Sequence, residues 1–504
     1  MFAISCRTAR PTSAALKDDY KLDLTIVQVN DVYEIAPLEN GKIGGMARVA
    51  TLKKQSQKSN PNTLLVMAGD FVSPSVYNSL KYEGQRIRGQ QMIEAMNAAG
   101  MDLVTFGNHE FDLTESELQQ RINESHFEWI ASNCFHKKND AVIAFTRQVA
   151  GKEQSMPQTA IKTFTDADGT RVRIGFIGLT LPFNKAPYVS YTDPLTTAET
   201  LYNRIKDSCD AVVAITHQTV QEDSVLATKL PHLALIVGGH EHDMRFKKVG
   251  SVYITKAHSN ARSAYLINLH IDKSTNTVTA SPELKMLDQS VALDPATDSV
   301  VQRWSGIAAK NYASLGFDPT KVVLSTGVPL EGRETEIRKA PTNFSRLIVA
   351  AMEQAIPAAD VAIINAGAIR VDDVLQPPIT QYDILRSLPF GGSIEEVDLK
   401  GRLLIQILEA GRKNIGLGGF LDYSSFMNYN EAAKNWLLKG QPIEEAKTYK
   451  VALLDFLLTG GEANMGFLTK DNPDIVKVYP TITDISDPRS DVRLAIIHYL
   501  ENIK

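Results

Sequence analysis

Cysteine is scarce in this chain. The 504 residues contain only Cys6, Cys134 and Cys209, and no two of them form a CxxC pair. One disulfide is possible, but a disulfide framework, a zinc ribbon and a thioredoxin-like motif are excluded. Long apolar runs are also missing, because no stretch approaches the roughly 18 residues of a membrane-spanning helix. We therefore expect a soluble protein without a membrane span.

Long runs of basic residues are absent as well. The formal net charge is −5, and Lys and Arg do not cluster in any long run. A protein that binds a nucleic-acid polymer normally carries a basic patch that neutralises the phosphates. We therefore expect no such polymer as partner. A small phosphorylated ligand stays compatible, because a few local cations or metal ions can outweigh a mildly acidic whole.

The length of the chain predicts more than one domain. We predict a leader over residues 1–20, a first domain over 21–294, a connector helix over 295–320 and a second domain over 321–504. The leader lacks the continuous apolar region of a secretory signal. The cellular compartment and the oligomeric state stay open.

The first predicted domain repeatedly shows a short apolar run that ends in a polar or glycine-containing turn. Such runs indicate strands, and the helix-like stretches between several of them indicate an α/β fold. A residue that can bind a metal ion follows nearly every run, and these residues are Asp31, Asp70, Asn108, His217 and His240. Ligands of open α/β sheets bind beyond the carboxyl ends of the strands. We therefore expect these side chains to share one site.

Two segments hold the densest set of potential ligands. GNHEFD over 107–112 offers an amide, an imidazole and two carboxylates, and GGHEH over 238–242 offers His240 and His242. At a strand end, residues two apart point to the same face, so these two histidines can approach one metal cluster. Taken singly, each candidate is compatible with an ordinary turn residue. Together they indicate a metal site.

The order of these motifs resembles that of the calcineurin-like metallophosphoesterases, and the chain is similar to the 5′-nucleotidase family. The similarity spans residues 23–480 and includes AMNAAGMDLVTFGNHEFD, NAGAIR, LPFGG and FLLTGGEANMGF. It implies a four-layer α/β/β/α metallophosphoesterase domain followed by a C-terminal α/β nucleotide-recognition domain. It also implies that the phosphate monoester of a nucleoside 5′-monophosphate is hydrolysed by in-line attack of a metal-bound hydroxide.

The resemblance implies roles for individual residues. Asp70 would bridge two metal ions, and the full implied ligand set is Asp31, Asp70, Asn108, His217, His240 and His242. Mixed nitrogen and oxygen ligands favour Mn, Zn, Fe or Co over Mg alone. His109 would lie beside the substrate phosphate as a catalytic group. Asp112 would orient that imidazole and favour its cationic form, which stabilises charge on the phosphoryl oxygens.

The second domain would bind the substrate. The implied binding residues are Arg338, Asn365, Arg370, Phe390, Phe456 and Glu462. Arginine suits phosphate and ribose oxygens because its planar fork donates two hydrogen bonds at once. The base would stack between Phe390 and Phe456, although core packing is the better interpretation of either ring taken alone. Glu462 stands where the family has an aspartate.

Two motifs depart from the family pattern. Asn30-Asp31-Val32-Tyr33 stands where the family has Asn-Asp-x-His, so a phenol replaces an imidazole. Three roles stay open for Tyr33: it could bind a different metal such as ferric iron, lie behind the ligands without binding metal, or leave a weakened metal site. We expect that it lies behind the ligands. In the other motif, PTNFSR over 341–346 replaces E-x-N-L-G-N, which changes the surroundings of Arg338.

Other functions stay open from the sequence alone. The same type of site can act on 2′,3′-cyclic nucleotides, on 3′-nucleotides or on nucleotide sugars. A nucleotide-binding interaction protein with a weakened metal site would fit Tyr33. The other expected ligands and the His109–Asp112 pair are all present, and their presence favours an enzyme.

Overall fold

The computed structural model describes residues 17–139 and 141–502. The chain divides into two compact units. The first contains the chain up to Ser73 and Met92–Val301, and the second contains Pro74–Gln91 and the chain from Gln302 onward. The helix Pro295–Ser314 begins in the first unit and ends in the second. Cys6 and most of the predicted leader lie outside the described residues, and the domain boundaries drawn from the sequence stay predictions.

Two six-stranded sheets form the centre of the first unit. The first has the spatial order Thr277–Met286, Ser263–Asp272, Lys21–Val29, Thr63–Ala68, Leu103–Thr105 and Glu128–Trp129. The second has the order Thr159–Thr165, Arg171–Thr180, Ala211–His217, Leu235–Gly239, Val252–Lys256 and Arg245–Val249. Leu24, Ile26 and Val66 of the first sheet share one buried cluster with Phe176 and Val213 of the second. The sheets therefore pack face to face.

Helices cover the outer faces of this pair of sheets. Helix Met46–Ser59 contacts the first sheet. Helices Pro194–Ile205 and Val220–Lys229 pack on the second sheet through a separate buried cluster. Asp193 caps one of them and Thr219 forms a capping box at the other, which satisfies amide groups at the helix starts. The predicted α/β/β/α order is confirmed.

The strands that precede the predicted ligands run parallel to their neighbours. In the first sheet the parallel neighbours are Lys21–Val29, Thr63–Ala68 and Leu103–Thr105. In the second sheet they are Arg171–Thr180, Ala211–His217 and Leu235–Gly239. Within each sheet the carboxyl ends of these strands therefore lie at one edge.

A five-stranded sheet forms the centre of the second unit, in the order Leu421–Tyr423, Val361–Asn365, Thr448–Leu454, Ile394–Lys400 and Ile475–Val478. Helix Gly401–Lys413 packs on it through Leu403, Leu404 and Ile407. Helices Asn343–Ala355, Gln381–Ser387 and Val492–Asn502 pack in contact with one another or with strand Val361–Asn365. The predicted α/β second domain is confirmed.

Shorter elements complete the fold. The remaining α-helices are Gln90–Ala99, Glu115–Glu124 and Glu334–Ile337. The short strands pair as Lys81–Tyr82 with Gln85–Arg86, Cys134–Lys138 with Ala141–Ile143 and Val189–Tyr191, Thr146–Val149 with Lys152–Ser155, Val322–Leu324 with Ile379–Thr380, Leu330–Glu331 with Val374–Leu375, and Met427–Asn430 with Asn435–Leu438, which pairs with Gln441–Pro442. Within the described ranges, no helix has the length and hydropathy that crossing a bilayer needs.

Candidate active site

Three predicted ligands have positive φ angles, a backbone conformation that residues other than glycine rarely adopt. Asp31, Asp70 and His240 have φ angles of 53°, 55° and 87°. Each lies within two residues of the end of a parallel strand. A residue in such a sparsely populated region costs on the order of 1–3 kcal/mol and persists only where its surroundings fix it. Backbone strain of this kind is typical of functional sites.

Glycines allow the ligand-bearing turns to approach one another. A Cβ atom on Gly107 would lie 2.0 Å from Asp70 Oδ1, and one on Gly69 would lie 2.6 Å from His217 Nδ1. A Cβ on Gly239 would lie 2.2 Å from the carbonyl oxygen of Ala68. The glycines of the GD, GNHE and GGHEH segments are therefore required by close packing around the site.

The turns bring the predicted ligands together. Ligand atoms of Asp31, Asp70 and His217 all lie within 4.8 Å of one another, and all three residues are buried. His217 Nε2 is 3.1 Å from Asp70 Oδ2, and His242 Nε2 is 3.6 Å from Asp31 Oδ1. The ring of His240 lies beside that of His217, with centroids 5.4 Å apart. Five of the six implied ligands thus form one cluster.

Two hydrogen-bonding details fit these residues to metal ions. Asn108 Oδ1 is buried and has no hydrogen-bond partner among the described residues. An unsatisfied buried oxygen is unfavourable, and a bound cation would satisfy it. His217 Nδ1 lies 2.8 Å from the carbonyl oxygen of Ala68, which leaves Nε2 directed at Asp70. Metal-binding histidines are oriented in this way.

Burial and attraction between neighbouring charges shift the pKa values of the clustered residues. Burial raises the pKa of Asp31. Burial acts to raise the pKa of Asp70 as well, but attraction to His217 and His109 lowers it below its usual range. Burial acts to lower the pKa of His217, yet attraction to Asp70 and Asp31 raises it to about 9. Burial and repulsion by His217 lower the pKa of His240 to about 3.

His109 and Asp112 form a directed pair. They occupy the first and last positions of a short 3₁₀ turn, and His109 Nδ1 lies 2.7 Å from Asp112 Oδ2. The backbone N–H of His109 donates to Asp70 Oδ1 over 2.7 Å. This contact fixes the backbone of His109 next to the carboxylate that is expected to bridge the metals.

Two further residues hold Asp112, and the sequence reasoning missed both. Asn184 Nδ2 donates to Asp112 Oδ1 over 2.5 Å and to the backbone oxygen of Asn108 over 3.1 Å. Ser73 Oγ donates to Asp112 Oδ2 over 3.1 Å. Asn184 is 72 residues beyond Asp112 along the chain, so no local pattern could have indicated it.

Glu110 supports the turn instead of offering a metal ligand. Its buried carboxylate accepts hydrogen bonds from the backbone N–H groups of Asp70, Phe71, Val72 and Gly107. Burial, with repulsion from Asp70, raises the pKa of Glu110 to about 7. The sequence had offered this residue as one of two potential ligand carboxylates in GNHEFD, and its contacts show a clamp on the Asp70 turn.

A fully buried lysine connects the strand ends that carry the histidine ligands. Lys256 Nζ donates to the carbonyl oxygens of Gln218 and Gly239, and it pairs with Asp223 and Glu241 at 2.9 and 2.5 Å. Burial acts to lower the pKa of Lys256, but attraction to the two carboxylates raises it. A lysine of this kind had no signature in the sequence.

The predicted polar residues of the second unit form two hydrogen-bonded groups. Asn365 Nδ2 donates to Glu462 Oε2 over 2.7 Å, while Asn365 Oδ1 is buried without a partner in the described part of the chain. Arg338 and Arg370 both contact Glu334 Oε1, at 2.6 and 3.3 Å. Glu334 was missed from the sequence, although its spacing of four residues from Arg338 is typical of a helical ion pair.

The two predicted stacking rings are exposed. Phe390 and Phe456 expose 63% and 46% of their surface. Their loops are neighbours, because the N–H of Asp455 donates to the carbonyl oxygen of Ser393 over 3.1 Å. This exposure argues against core packing, which was the better interpretation of either ring alone, and leaves both rings accessible to a planar ligand.

Comparison with known proteins covers both units. The family model of the calcineurin-like phosphoesterases matches residues 24–244, and that of the 5′-nucleotidase C-terminal domain matches residues 322–469. This chain belongs to the 5′-nucleotidase family. A 5′-nucleotidase of Bos taurus is 24% identical over 502 residues, covering 87% of this chain and 83% of the relative. Protein UshA of Yersinia enterocolitica is 25% identical over 525 residues, covering 91% and 90%.

Solved structures agree with the fold of a 5′-nucleotidase family member. A 5′-nucleotidase precursor of Thermus thermophilus has a TM-score of 0.69 at 22% identity, covering 96% of this chain and 97% of its own. The sulfate thiohydrolase SoxB of Thermus thermophilus has a TM-score of 0.65 at 14% identity, covering 98% and 95%. Because a protein named for different chemistry shares this fold, the fold alone does not select the substrate.

Proposed function

We propose that this member of the 5′-nucleotidase family removes the phosphate from nucleoside 5′-monophosphates with a pair of metal ions chosen from Mn, Zn, Fe and Co. The observation that carries the proposal is the buried cluster of Asp31, Asp70 and His217 beside the oriented His109–Asp112 pair. The cluster offers ligands for two cations, and the pair offers a positioned imidazole for the phosphoryl group.

Asp70 would contribute to both cations in this proposal, because its Oδ2 lies 3.1 Å from His217 Nε2 and 3.3 Å from the Tyr33 hydroxyl, which contacts His242. Its carboxylate faces His217 on one side, and the carboxylate of Asp31 extends the cluster towards His242. His240, whose ring lies beside that of His217, and Asn108, whose buried Oδ1 has no hydrogen-bond partner among the described residues, would complete the set. When bound, the metal pair supplies Lewis-acid chemistry, which activates water and neutralises charge on the phosphoryl oxygens.

His109 acts on the substrate and not on a metal in this proposal. Its Nδ1 is engaged by Asp112, so Nε2 is the ring nitrogen that would contact the phosphoryl oxygens. A carboxylate on Nδ1 favours the imidazolium form, which donates a charge-assisted hydrogen bond where negative charge develops. Asn184 and Ser73 keep Asp112 in the orientation that this role needs.

The second unit recognises the nucleoside in this proposal. Phe390 and Phe456 present exposed rings for base stacking. Asn365 and Glu462 present amide and carboxylate oxygens to ribose hydroxyls. Arg338 and Arg370, which both contact Glu334, supply planar guanidinium groups for phosphate or ribose oxygens. The similarity to relatives named 5′-nucleotidase supports a nucleotide as the substrate.

A panel of substrates tests the proposal. Protein purified without chelator is analysed for metals, and phosphate release is measured on a 5′-monophosphate, a 3′-monophosphate, a 2′,3′-cyclic nucleotide and a nucleotide sugar. We expect the highest kcat/KM for the 5′-monophosphate, with a variant His109→Ala as the control for chemistry at this site. If another member of the panel has a higher kcat/KM, that class of compound is the substrate instead of the 5′-monophosphate. If the metal-replete protein hydrolyses none of these compounds, the proposed activity is refuted and a nucleotide-binding interaction protein is the better interpretation.

A further inference from the structure

Tyr33, one of the residues that depart from the family pattern, lies among the expected metal ligands. Tyr33 Oη is 2.9 Å from His242 Nε2, 3.3 Å from Asp70 Oδ2 and 3.4 Å from Asp31 Oδ1. The side chain is buried, with 7% of its surface exposed. The phenol oxygen therefore faces the same point in space as the two carboxylates and the imidazole.

These separations suit atoms that share one cation. Metal bonds of ~2.0–2.2 Å, with angles between a right angle and the tetrahedral angle, place neighbouring ligand atoms roughly 2.8–3.6 Å apart. Hydrogen bonding explains the arrangement less well, because a phenol can accept from His242 Nε2 but has one proton to donate, which only one of the two carboxylates can accept at a time. Tyr33 faces three groups, and two of them are carboxylates that only accept when ionised. A cation satisfies all four groups together.

The backbone holds Tyr33 and Asp31 in this arrangement. Asn260 Oδ1 accepts hydrogen bonds from the N–H groups of Tyr33 and Glu34, over 3.0 and 3.2 Å. The N–H of Asn260 donates to the carbonyl oxygen of Asp31 over 2.8 Å. The ring of Tyr33 packs against that of His242, with centroids 5.3 Å apart. The position of the phenol is therefore fixed by the fold.

The charge of this ligand set differs from that of the family. Where the family has a neutral imidazole, a bound Tyr33 adds a third anionic oxygen to those of Asp31 and Asp70. Anionic oxygen donors suit hard cations, and three negative charges match a trivalent ion better than a divalent one. Ferric iron is the trivalent ion of this kind that proteins bind through tyrosine.

We propose that Asp31, Tyr33, Asp70 and His242 bind a ferric ion, with Tyr33 as a phenolate ligand. As the oxygen–iron bond forms, the phenol O–H bond breaks and its proton passes to solvent, without electron transfer. This inference rests on the metal centre of the proposed function and names one of its two cations. It replaces the expectation from sequence that Tyr33 lies behind the ligands.

Optical spectroscopy with metal analysis tests the assignment. The full-length protein is purified aerobically from iron-supplemented cells without chelator, and its iron content is measured beside its visible spectrum. We expect stoichiometric iron and a phenolate-to-iron charge-transfer band that dithionite bleaches by reducing the iron. Tyr33→Phe should lose the band and most of the iron. Tyr33→His should stay folded and bind divalent ions without colour.

The matched control is Tyr265→Phe. Tyr265 is buried in the same unit, and its hydroxyl lies 3.5 Å from a backbone oxygen of Arg245 and not among the ligands. This variant should keep the full band and the full iron content. Iron-loaded wild-type protein without a band, or a Tyr33→Phe variant that keeps the band, would overturn the assignment.

The outcomes separate this inference from the proposed function. A colourless protein that contains no iron, binds two divalent ions and hydrolyses 5′-monophosphates would overturn the ferric site and leave the function standing. A coloured iron protein that loses its colour in Tyr33→Phe but releases no phosphate from nucleotides would support the ferric site and refute the function.

Discussion

Replacing Phe456 by alanine should weaken nucleotide binding without weakening the fold. Stacking of a base on an aromatic side chain contributes about 1–3 kcal/mol, which corresponds to about a 5- to 150-fold rise in KM for a nucleoside 5′-monophosphate. The ring already exposes 46% of its surface, so its removal leaves no closed cavity. A fully buried Phe→Ala change costs about 3–5 kcal/mol, and Phe456→Ala should destabilise the protein far less.

Three measurements check this prediction. KM is compared for a nucleoside monophosphate and for a small aryl phosphate that has no base, and Tm is recorded for each variant. Phe390→Ala should behave like Phe456→Ala, with KM raised for the nucleotide alone. Phe344→Ala is the matched control, because Phe344 is fully buried in the same unit and its loss should lower Tm. A Phe456→Ala variant that weakens both substrates equally, or that lowers Tm as much as Phe344→Ala, would refute the stacking role.

Four further changes test the roles assigned to the first unit. His109→Ala should lower kcat by about 10²–10³-fold, the scale for losing one preorganised donor, with metal content unchanged. Asp70→Asn should instead lose bound metal, as measured by elemental analysis, and equal metal loss in both variants would contradict this division. Asn184→Ala should lower kcat by about tenfold, the order for a residue that orients a functional side chain. KM, Tm and metal content should be retained, because Asn184 contacts Asp112 and the backbone oxygen of Asn108 and no side-chain ligand atom; a loss of metal would make its role structural. Glu110→Gln should lower the free energy of unfolding by about 1–3 kcal/mol, since its amide would leave buried N–H groups unpaired. Denaturant unfolding measures this change, and unaltered stability would contradict the clamp.

The fold was predictable because its signals are local. Each parallel strand of the first unit is a short apolar run followed by a polar turn, as in Ala211–His217 and Leu235–Gly239. The helices Asn343–Ala355 and Gly401–Lys413 also follow from local patterns of apolar residues. The assignment of residues 74–91 to the second unit had no local signal, because it depends on contacts with residues far along the chain.

The site was predictable only where a motif carried the chemistry. Asp31, Asp70, His217, His240 and His242 each stand in a turn after a strand or at its end, and the structure brings them together. The residues that hold the ligands in place could not be predicted in this way, because their roles depend on tertiary contacts. Asn184 and Lys256 act from distant positions in the chain, and nothing in their neighbouring residues marks them.

The structure also explains the glycine residues around the candidate site, whose role the sequence leaves ambiguous. GD and GG pairs in a sequence are typical of ordinary turns. The structure shows why they cannot carry side chains, because a Cβ on Gly107 would collide with Asp70 itself. Spacing alone could place the turns, but only the packed structure reveals that each turn is in contact with another.

The left-handed turns at Asp31, Asp70 and His240 have a consequence for transplanting this centre. The fold orders these ligands, so a cation meets side chains that have already lost their freedom, and its affinity depends mainly on the bonds it forms. The affinity of the site for a cation therefore depends on the backbone that orders the ligands as well as on which side chains they are. A copy of the same side chains on another α/β scaffold should bind poorly unless the glycine-containing turns, and the Glu110 clamp behind one of them, are transferred together.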